Sequence, residues 1–462
     1  MASALFIVGI RRLRKPETAR SGNTLAAVGM IIALVATLFV IQFQDLLLMG
    51  IAALLGAVTG AVSAQRVQMT AMPQMVAAYH GLGGGASALI ALSEFVQAES
   101  GGGESVVAAI TVPLTILIGS VSFAGSVIAF LKLQELAFSG SVRFPLQQVV
   151  NALLFLGILV LAANAILGEA ILPISPVASV VVVLVASLIL GVLLVIPIGG
   201  ADMAIVISLL NAFTGLAAAA AGFVLGNYIL IIGGTIVGAS GTILTRLMSS
   251  ALGRPLRKII FAGIAASSRS KKEDQEERKV NDVSAGTVGE YLTDEAQKVI
   301  IVPGYGLAVA QAQGPMHDLM ETLESQGKEV LFGIHPVAGR MPGHMNVLLA
   351  AADVPYEKLY DLEDINPEFK DADAVIVVGA NDVVNPAAND AEQDTPISGM
   401  PILEVEKANK VIFVKRSLSP GFAGIDNPLF YDQEKTMMLF ADAKQGLQEV
   451  VEAVKSSSST LH

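Results

Sequence analysis

Val299-Ile300-Ile301-Val302-Pro303-Gly304-Tyr305-Gly306-Leu307-Ala308-Val309-Ala310 is the stretch that decides how the C-terminal part of this chain folds. The apolar run at its start reads as the first strand of an α/β domain. Pro303 ends the run, and Gly304-Tyr305-Gly306 allows a tight turn into a helix, the geometry that a pyrophosphate needs. Further along, strand and helix patterns alternate, with strands expected at 298–303, 329–334, 357–361, 374–379, 410–415 and 437–441. Helices are expected at 306–326, 343–352, near 364–370, at 400–408 and at 443–455.

Such alternation predicts a doubly wound, Rossmann-like α/β domain with parallel strand order 3-2-1-4-5-6 over 285–462. Upstream the chemistry inverts. Between residues 25 and 248 apolar runs follow one another with almost no charge, and the chain is only 15% charged against about 25% in soluble proteins. A membrane-spanning helix needs about 20 apolar residues. Eight segments qualify, at 24–41, 45–63, 72–95, 107–131, 149–168, 176–196, 203–224 and 227–248. A ninth, 2–10, is too short and reads as the end of a helix whose start is missing or misassigned. The expected architecture is therefore a bundle of about nine helices, the first one short, over 1–262. A charged flexible linker over 263–284 joins it to the α/β domain.

Lys and Arg set the orientation. Arg11, Arg12, Arg14, Lys15 and Arg20 follow the first segment, Arg66 the third, Lys132 and Arg143 the fifth, and Arg246, Arg254, Arg257 and Lys258 the ninth. The alternate loops carry Asp45, Glu94, Glu99, Glu104 and Glu169 and no basic residue. This places the N-terminus outside and the α/β domain in the cytoplasm. Runs such as 81–86 and 119–125 are rich in Gly and predict close helix packing without a wide pore. His80 and Asn211 each lie eight residues into a helix that starts on the cytoplasmic side, hence at a similar depth of about 12 Å. His80 suits a proton relay or, more plainly, a single interhelical hydrogen bond. Asp202, at a helix start, suits either N-capping or gating.

The net charge of −11 argues against a nucleic-acid partner. With no Cys there are no disulfides, thiolate catalysis or Cys-ligated iron–sulfur clusters, and the five His form no metal-ligand pattern. The second strand ends at Ile334-His335-Pro336 instead of the acid that would hold an NAD ribose. Lys415-Arg416-Ser417 and Arg340 supply positive charge instead, which favours the 2′-phosphate of NADP; a solvated strand end is the alternative for Lys415-Arg416. Gly379-Ala380-Asn381-Asp382-Val383-Val384-Asn385 follows the fourth strand at the carboxyl edge of the sheet, where ligands bind.

These residues resemble the β subunit of proton-translocating NAD(P) transhydrogenase over nearly the whole chain. The likeness rests on 303–313, on the stretch from Gly333 through Val337-Ala338-Gly339-Arg340-Met341-Pro342 to Val347, and on 379–382, 415–417 and 199–203. It implies hydride transfer between NAD(H) on a partner α subunit and NADP(H) on this chain, coupled to proton passage and forming NADPH. It also implies a dimer of αβ units in lipid, in a bacterial inner membrane. The nucleotide-binding set implied is Gly304, Tyr305, Gly306, Ala308, Val309, Ala310, residues 337–342, Gly379 through Val383, Asn385, Gly399, Met400, 415–417, Asp442 and Ala443. Gly421 and Phe422 match a lid, with Phe where Tyr is common. His80, Asn211, Asp202 and Asp382 match positions tied to proton passage or coupling. A channel or transporter gated by a cytoplasmic NADP sensor, and a quinone-linked dehydrogenase subunit, are the alternatives.

Overall fold

A computed structural model describes residues 1–13, 16–40, 46–68, 71–101, 106–134, 136, 142, 144–167, 171–199, 202–251, 256, 279–339, 343–390, 395, 397–421 and 423–460. The chain divides into two compact units, Met1–Ile198 with Val206–Thr245, and Gly199–Ile205 with Arg246–His462. Most of the expected linker, 263–278, lies outside the described residues.

The first unit is helical: α1 (Ala2–Leu13), α2 (Pro16–Val40), α3 (Leu46–Arg66), α4 (Met72–Gly101), α5 (Val106–Leu133), α6 (Gln147–Leu167), α7 (Pro176–Val195), α8 (Met203–Val224) and α9 (Tyr228–Ala251). Eight of these, α2 to α9, are long and apolar enough to cross a membrane, while α1 has only 12 residues. The small residues do what their spacing implies. A Cβ on Gly84 of α4 would lie 2.9 Å from Gly119 O of α5, and one on Gly191 of α7 would lie 2.6 Å from Val121 O of α5. Backbones this close leave no room for a side chain.

The second unit carries a six-stranded parallel sheet, in order β3-β2-β1-β4-β5-β6 as expected. Its strands are β1 (Lys298–Pro303), β2 (Glu329–Ile334), β3 (Leu359–Asp361), β4 (Ala374–Val378), β5 (Lys410–Lys415) and β6 (Thr436–Phe440). Alternate residues of β1 feed opposite cores: Val299 and Ile301 pack with Leu319, Leu323 and Leu447, while Ile300 and Val302 pack with Phe369, Leu403 and Phe413. Two buried faces explain the unbroken apolar reading of the strands.

The helix expected across 306–326 is in fact two, α11 (Tyr305–Val309) and α12 (Gln313–Ser325). Pro315 cannot donate to the preceding turn and its ring would clash there, and it stands in the first turn of α12, where neither costs anything. Gln311 accordingly turns left-handed at φ 51°. The segment 400–408 is not a helix; only the short 3-10 turn Val405–Lys407 forms there. A helix that the sequence reading missed, α10 (Ala285–Asp294), is capped by Ser284, whose side chain accepts from Thr287 N. Just before it, Asp282 bridges to Met438 of β6, and Val283 N donates to Met438 O at 3.0 Å. The remaining helices are α13 (His344–Ala350), α14 (Leu362–Ile365) and α15 (Ala443–Thr460).

Candidate functional site

The order of the sheet reverses between β1 and β4, and the turns that follow these two strands interlock. Gly304 N donates to Val378 O (2.8 Å) and Gly306 N to Gly379 O (2.9 Å). A Cβ on Gly306 would lie 2.7 Å from Gly379 Cα, and Gly379 itself adopts φ +64°. The glycines thus let two protein backbones meet. The one-turn α11 points Leu307 and Ala308 into the core, while Val309 is exposed and Ala310 packs beside the core.

The next turn gathers the polar residues. Asn381, in the amide orientation that satisfies its neighbours, accepts from Gly421 N (2.8 Å) and from Lys415 Nζ (3.1 Å). Asp382 Oδ2 accepts from Ala423 N (3.0 Å), and Gly421 lies so close that a Cβ there would sit 2.6 Å from the Asp382 carboxyl carbon. Asn385 is fully buried, donating to Asp426 O and accepting from Ala387 N, both at 3.0 Å. Val383 O accepts from Leu403 N at 2.9 Å. The segment after β5 is therefore tied back onto the segment after β4.

Lys415 sits at the centre. Its Nζ donates to Ser419 O (2.6 Å) and lies 4.5 Å from the centre of the Phe430 ring. Burial lowers its pKa to about 8, against the pull of the Asp382 and Asp426 carboxylates. A half-buried ammonium that carries a desolvation penalty is stabilised by an incoming anion. Arg416 and Ser417 are exposed beside it, and Ser417 Oγ donates to Ser419 Oγ at 2.9 Å. Four residues joined to this cluster, Ser419, Asp426, Asn427 and Phe430, escaped sequence reading; Asn427 is fully buried and donates to Asn381 O at 3.5 Å. The only signal was an Asp-Asn pair just downstream of the basic strand end.

His335, at the end of β2, is buried, its Nε2 bonded to Pro401 O (2.7 Å) while Nδ1 accepts from Val337 N (3.2 Å). Burial lowers its pKa to about 4, so it is neutral, with the proton on Nε2. Ala338 is buried. Gly339 stands at φ +101° against His344. Other expected residues have structural tasks. Gly399 N donates to Ala388 O at 2.8 Å, Met400 is buried, and Asp442 Oδ1 caps α15 by accepting from Lys444 N, with Ala443 buried after it. Arg340, Met341, Pro342 and Phe422 lie outside the described residues.

In the helical unit, His80 lies on α4 with its backbone oxygen accepting from Thr214 Oγ1 of α8 at 3.0 Å. Thr214 Oγ1 is 2.7 Å from Ser122 Oγ of α5, which in turn donates to Leu210 O (3.0 Å). Asn211 is one turn before Thr214, so His80 and Asn211 occupy adjoining levels of neighbouring helices. His80 Nδ1 and Ser126 Oγ are buried with no hydrogen-bond partner among the described residues. Asp202 is buried at the foot of α8, and its N–H donates to Gly199 O at 3.2 Å. Among the described residues no group of acids, His or Cys is placed to hold a metal.

Comparison with known proteins spans nearly the whole chain. A sequence model of the family described as NAD(P) transhydrogenase beta subunit matches residues 1–453. Two Rhodospirillum rubrum sequences named NAD(P) transhydrogenase subunit beta are each 43% identical over 467 residues, covering 98% of this chain and 97% of theirs. The chain belongs to the NAD(P) transhydrogenase beta subunit family.

Proposed function

We propose that this chain is the NADP(H)-binding and proton-conducting subunit of a transhydrogenase that works with a partner α subunit. Hydride, carrying two electrons, passes from NADH on the partner to NADP⁺ held here, giving NAD⁺ and NADPH, and a proton crosses the membrane inward. Residues 1–262 form the membrane part, 263–284 the tether and 285–462 the nucleotide domain, which faces the cytoplasm of a bacterial cell from its inner membrane. The partner holds NAD(H), and two αβ units form the working particle.

The observation that carries this reading is the half-buried Lys415 ammonium at the carboxyl edge of a doubly wound sheet, held between the turns after β4 and β5. Dinucleotides bind at this edge where the strand order reverses, and a 2′-phosphate would stabilise the ammonium that burial disfavours. Lys415, with Arg416 and Arg340, holds that phosphate. Gly379 through Val383, with Asn385, line the cofactor, and 421–424 cover it. Asp382 positions the cover through Ala423 N and Gly421. Once bound, the nicotinamide supplies the hydride chemistry, so no side chain of this chain acts as acid or base in the transfer. His80, Asn211 and Asp202 serve the proton.

Calorimetric titration of segment 284–462 tests the cofactor assignment. NADP(H) should bind far more tightly than NAD(H), and equal affinity for both would defeat it. Membranes carrying this chain and an α subunit should transfer hydride from NADH to NADP⁺; binding without transfer would favour a sensor.

A further inference from the structure

One end of the helical unit is laced by buried side chains that hydrogen-bond the last carbonyls of neighbouring helices. Gln74 of α4 donates to Leu133 O at the end of α5 (3.2 Å), and Gln147 of α6 donates to Leu193 O in the last turn of α7 (3.0 Å). Lys132 of α5 donates through Nζ to Ile196 O (2.5 Å) and to Ile198 O (2.8 Å). Its residue is 8% exposed. Helix ends carry unpaired carbonyls and partial negative charge, so donors belong there. Two glutamines meet that need in the same region. A buried ammonium is far harder to desolvate than an amide, so its presence calls for a task an amide cannot do.

That task follows from what it grips. Ile196 and Ile198 lie beyond Val195, the last residue of α7, in a turn where Ile198 N donates to Val195 O (3.1 Å) and Val142 N to Ile196 O (3.3 Å). In sequence this turn leads directly to Asp202 and to α8, the helix of Asn211. One ammonium spanning carbonyls two residues apart fixes the shape of the turn as well as capping the helix. Charge-assisted bonds in dry surroundings hold or break together, which gives the turn discrete positions instead of a graded range. We propose that Lys132 is a positioning residue for coupling: its ammonium clamps the 196–198 turn and so sets where the body of α8, with Asn211, stands. This rests on the functional reading above.

The test uses the full chain with its α partner in vesicles, comparing wild type with Lys132→Met, Lys132→Gln and Lys132→Arg. Two quantities are read: amide exchange of the peptide 196–203, and protons moved per hydride transferred, followed with a pH-sensitive dye and by absorbance. Losing charged hydrogen bonds should speed exchange about tenfold in the Met and Gln variants. Their proton-to-hydride ratio should fall, while Lys132→Arg keeps both quantities near wild type. A bundle that is merely weakened loses the two rates in proportion, and that unchanged ratio would overturn the proposal, as would unchanged exchange. Should Lys132→Met fail to accumulate, Lys132→Gln, which keeps a donor without charge, carries the comparison. Wild-type vesicles that transfer no hydride would sink the functional reading instead, and the exchange of 196–203 would still decide the clamp.

Discussion

At the scale of residues, two bases, the half-buried Lys415 and the buried His335, carry sharp pH predictions. Lys415 has a pKa lowered from 10.5 to about 8 by burial, so above about pH 8 the free domain holds it largely neutral. A 2′-phosphate favours the ammonium, so binding NADP(H) at pH 9 should take up a proton, and affinity should fall as pH rises from 8 to 10. Arg stays charged throughout, so Lys415→Arg should abolish that proton uptake. Calorimetry in buffers of different ionisation enthalpy reads the uptake directly; its absence in the wild type would move the phosphate away from Lys415. His335 has a pKa lowered from 6.5 to about 4 by burial. Between those values the unfolded chain binds a proton that the folded one refuses, so stability is present above pH 6.5 and is lost as pH falls toward 4. The full difference is about 3 kcal/mol. Denaturant unfolding of 284–462 at pH 7, 5.5 and 4 should trace this loss, and His335→Gln should flatten it while lowering stability at pH 7. The charge of Lys415 was legible in the sequence. Its partners were not, because Asn381 meets it from the turn after β4, and Ser419 and Phe430 through the return of the chain after β5.

At the scale of elements, the glycines separate by what surrounds them. Gly379 combines φ +64° with a virtual Cβ 2.5 Å from Gly306 Cα, whereas Gly327, at φ +80° after α12, has nothing within 4 Å. Gly327→Ala should cost about 1 kcal/mol, the left-handed penalty alone. Gly379→Ala adds a backbone clash and should cost well beyond that, with loss of NADP(H) binding. Urea midpoints of the two variants check the contrast, and equal midpoints would refute the interlocked turns. The positions of β1, β2, β4, β5 and β6 were readable because two buried faces demand short, nearly continuous apolar runs. The single long helix expected at 306–326 was not, because the apolar pattern runs on through a break that Pro315 imposes by sterics. The Gly304-Tyr305-Gly306 motif predicted the turn correctly, but the neighbour that makes those glycines necessary is Gly379 in the turn after β4, 73 residues beyond Gly306 in sequence.

At the scale of the whole molecule, the two chemistries should separate cleanly. Segment 284–462 has its own two-faced core and should fold alone, with cooperative unfolding and NADP(H) binding by calorimetry. His80→Ala should abolish proton pumping and coupled transhydrogenation in vesicles while the detached domain binds NADP(H) as before. Wild-type acidification in His80→Ala vesicles, read with a pH-sensitive dye, would reduce His80 to a packing residue. Composition and periodicity determined the eight long apolar helices, and strand–helix alternation with the doubly wound plan determined the strand order. Lipid demands about 20 apolar residues per helix, and a parallel sheet demands short apolar strands between helices. Only the tertiary structure decided which polar groups meet. Lys132 with the 196–198 turn, Ser122 with Thr214 beside His80, and Asp382 with Ala423 are each joined across more than 40 residues of chain. Periodicity assigns a residue to a face of an element, but it carries no record of which other face will pack against it.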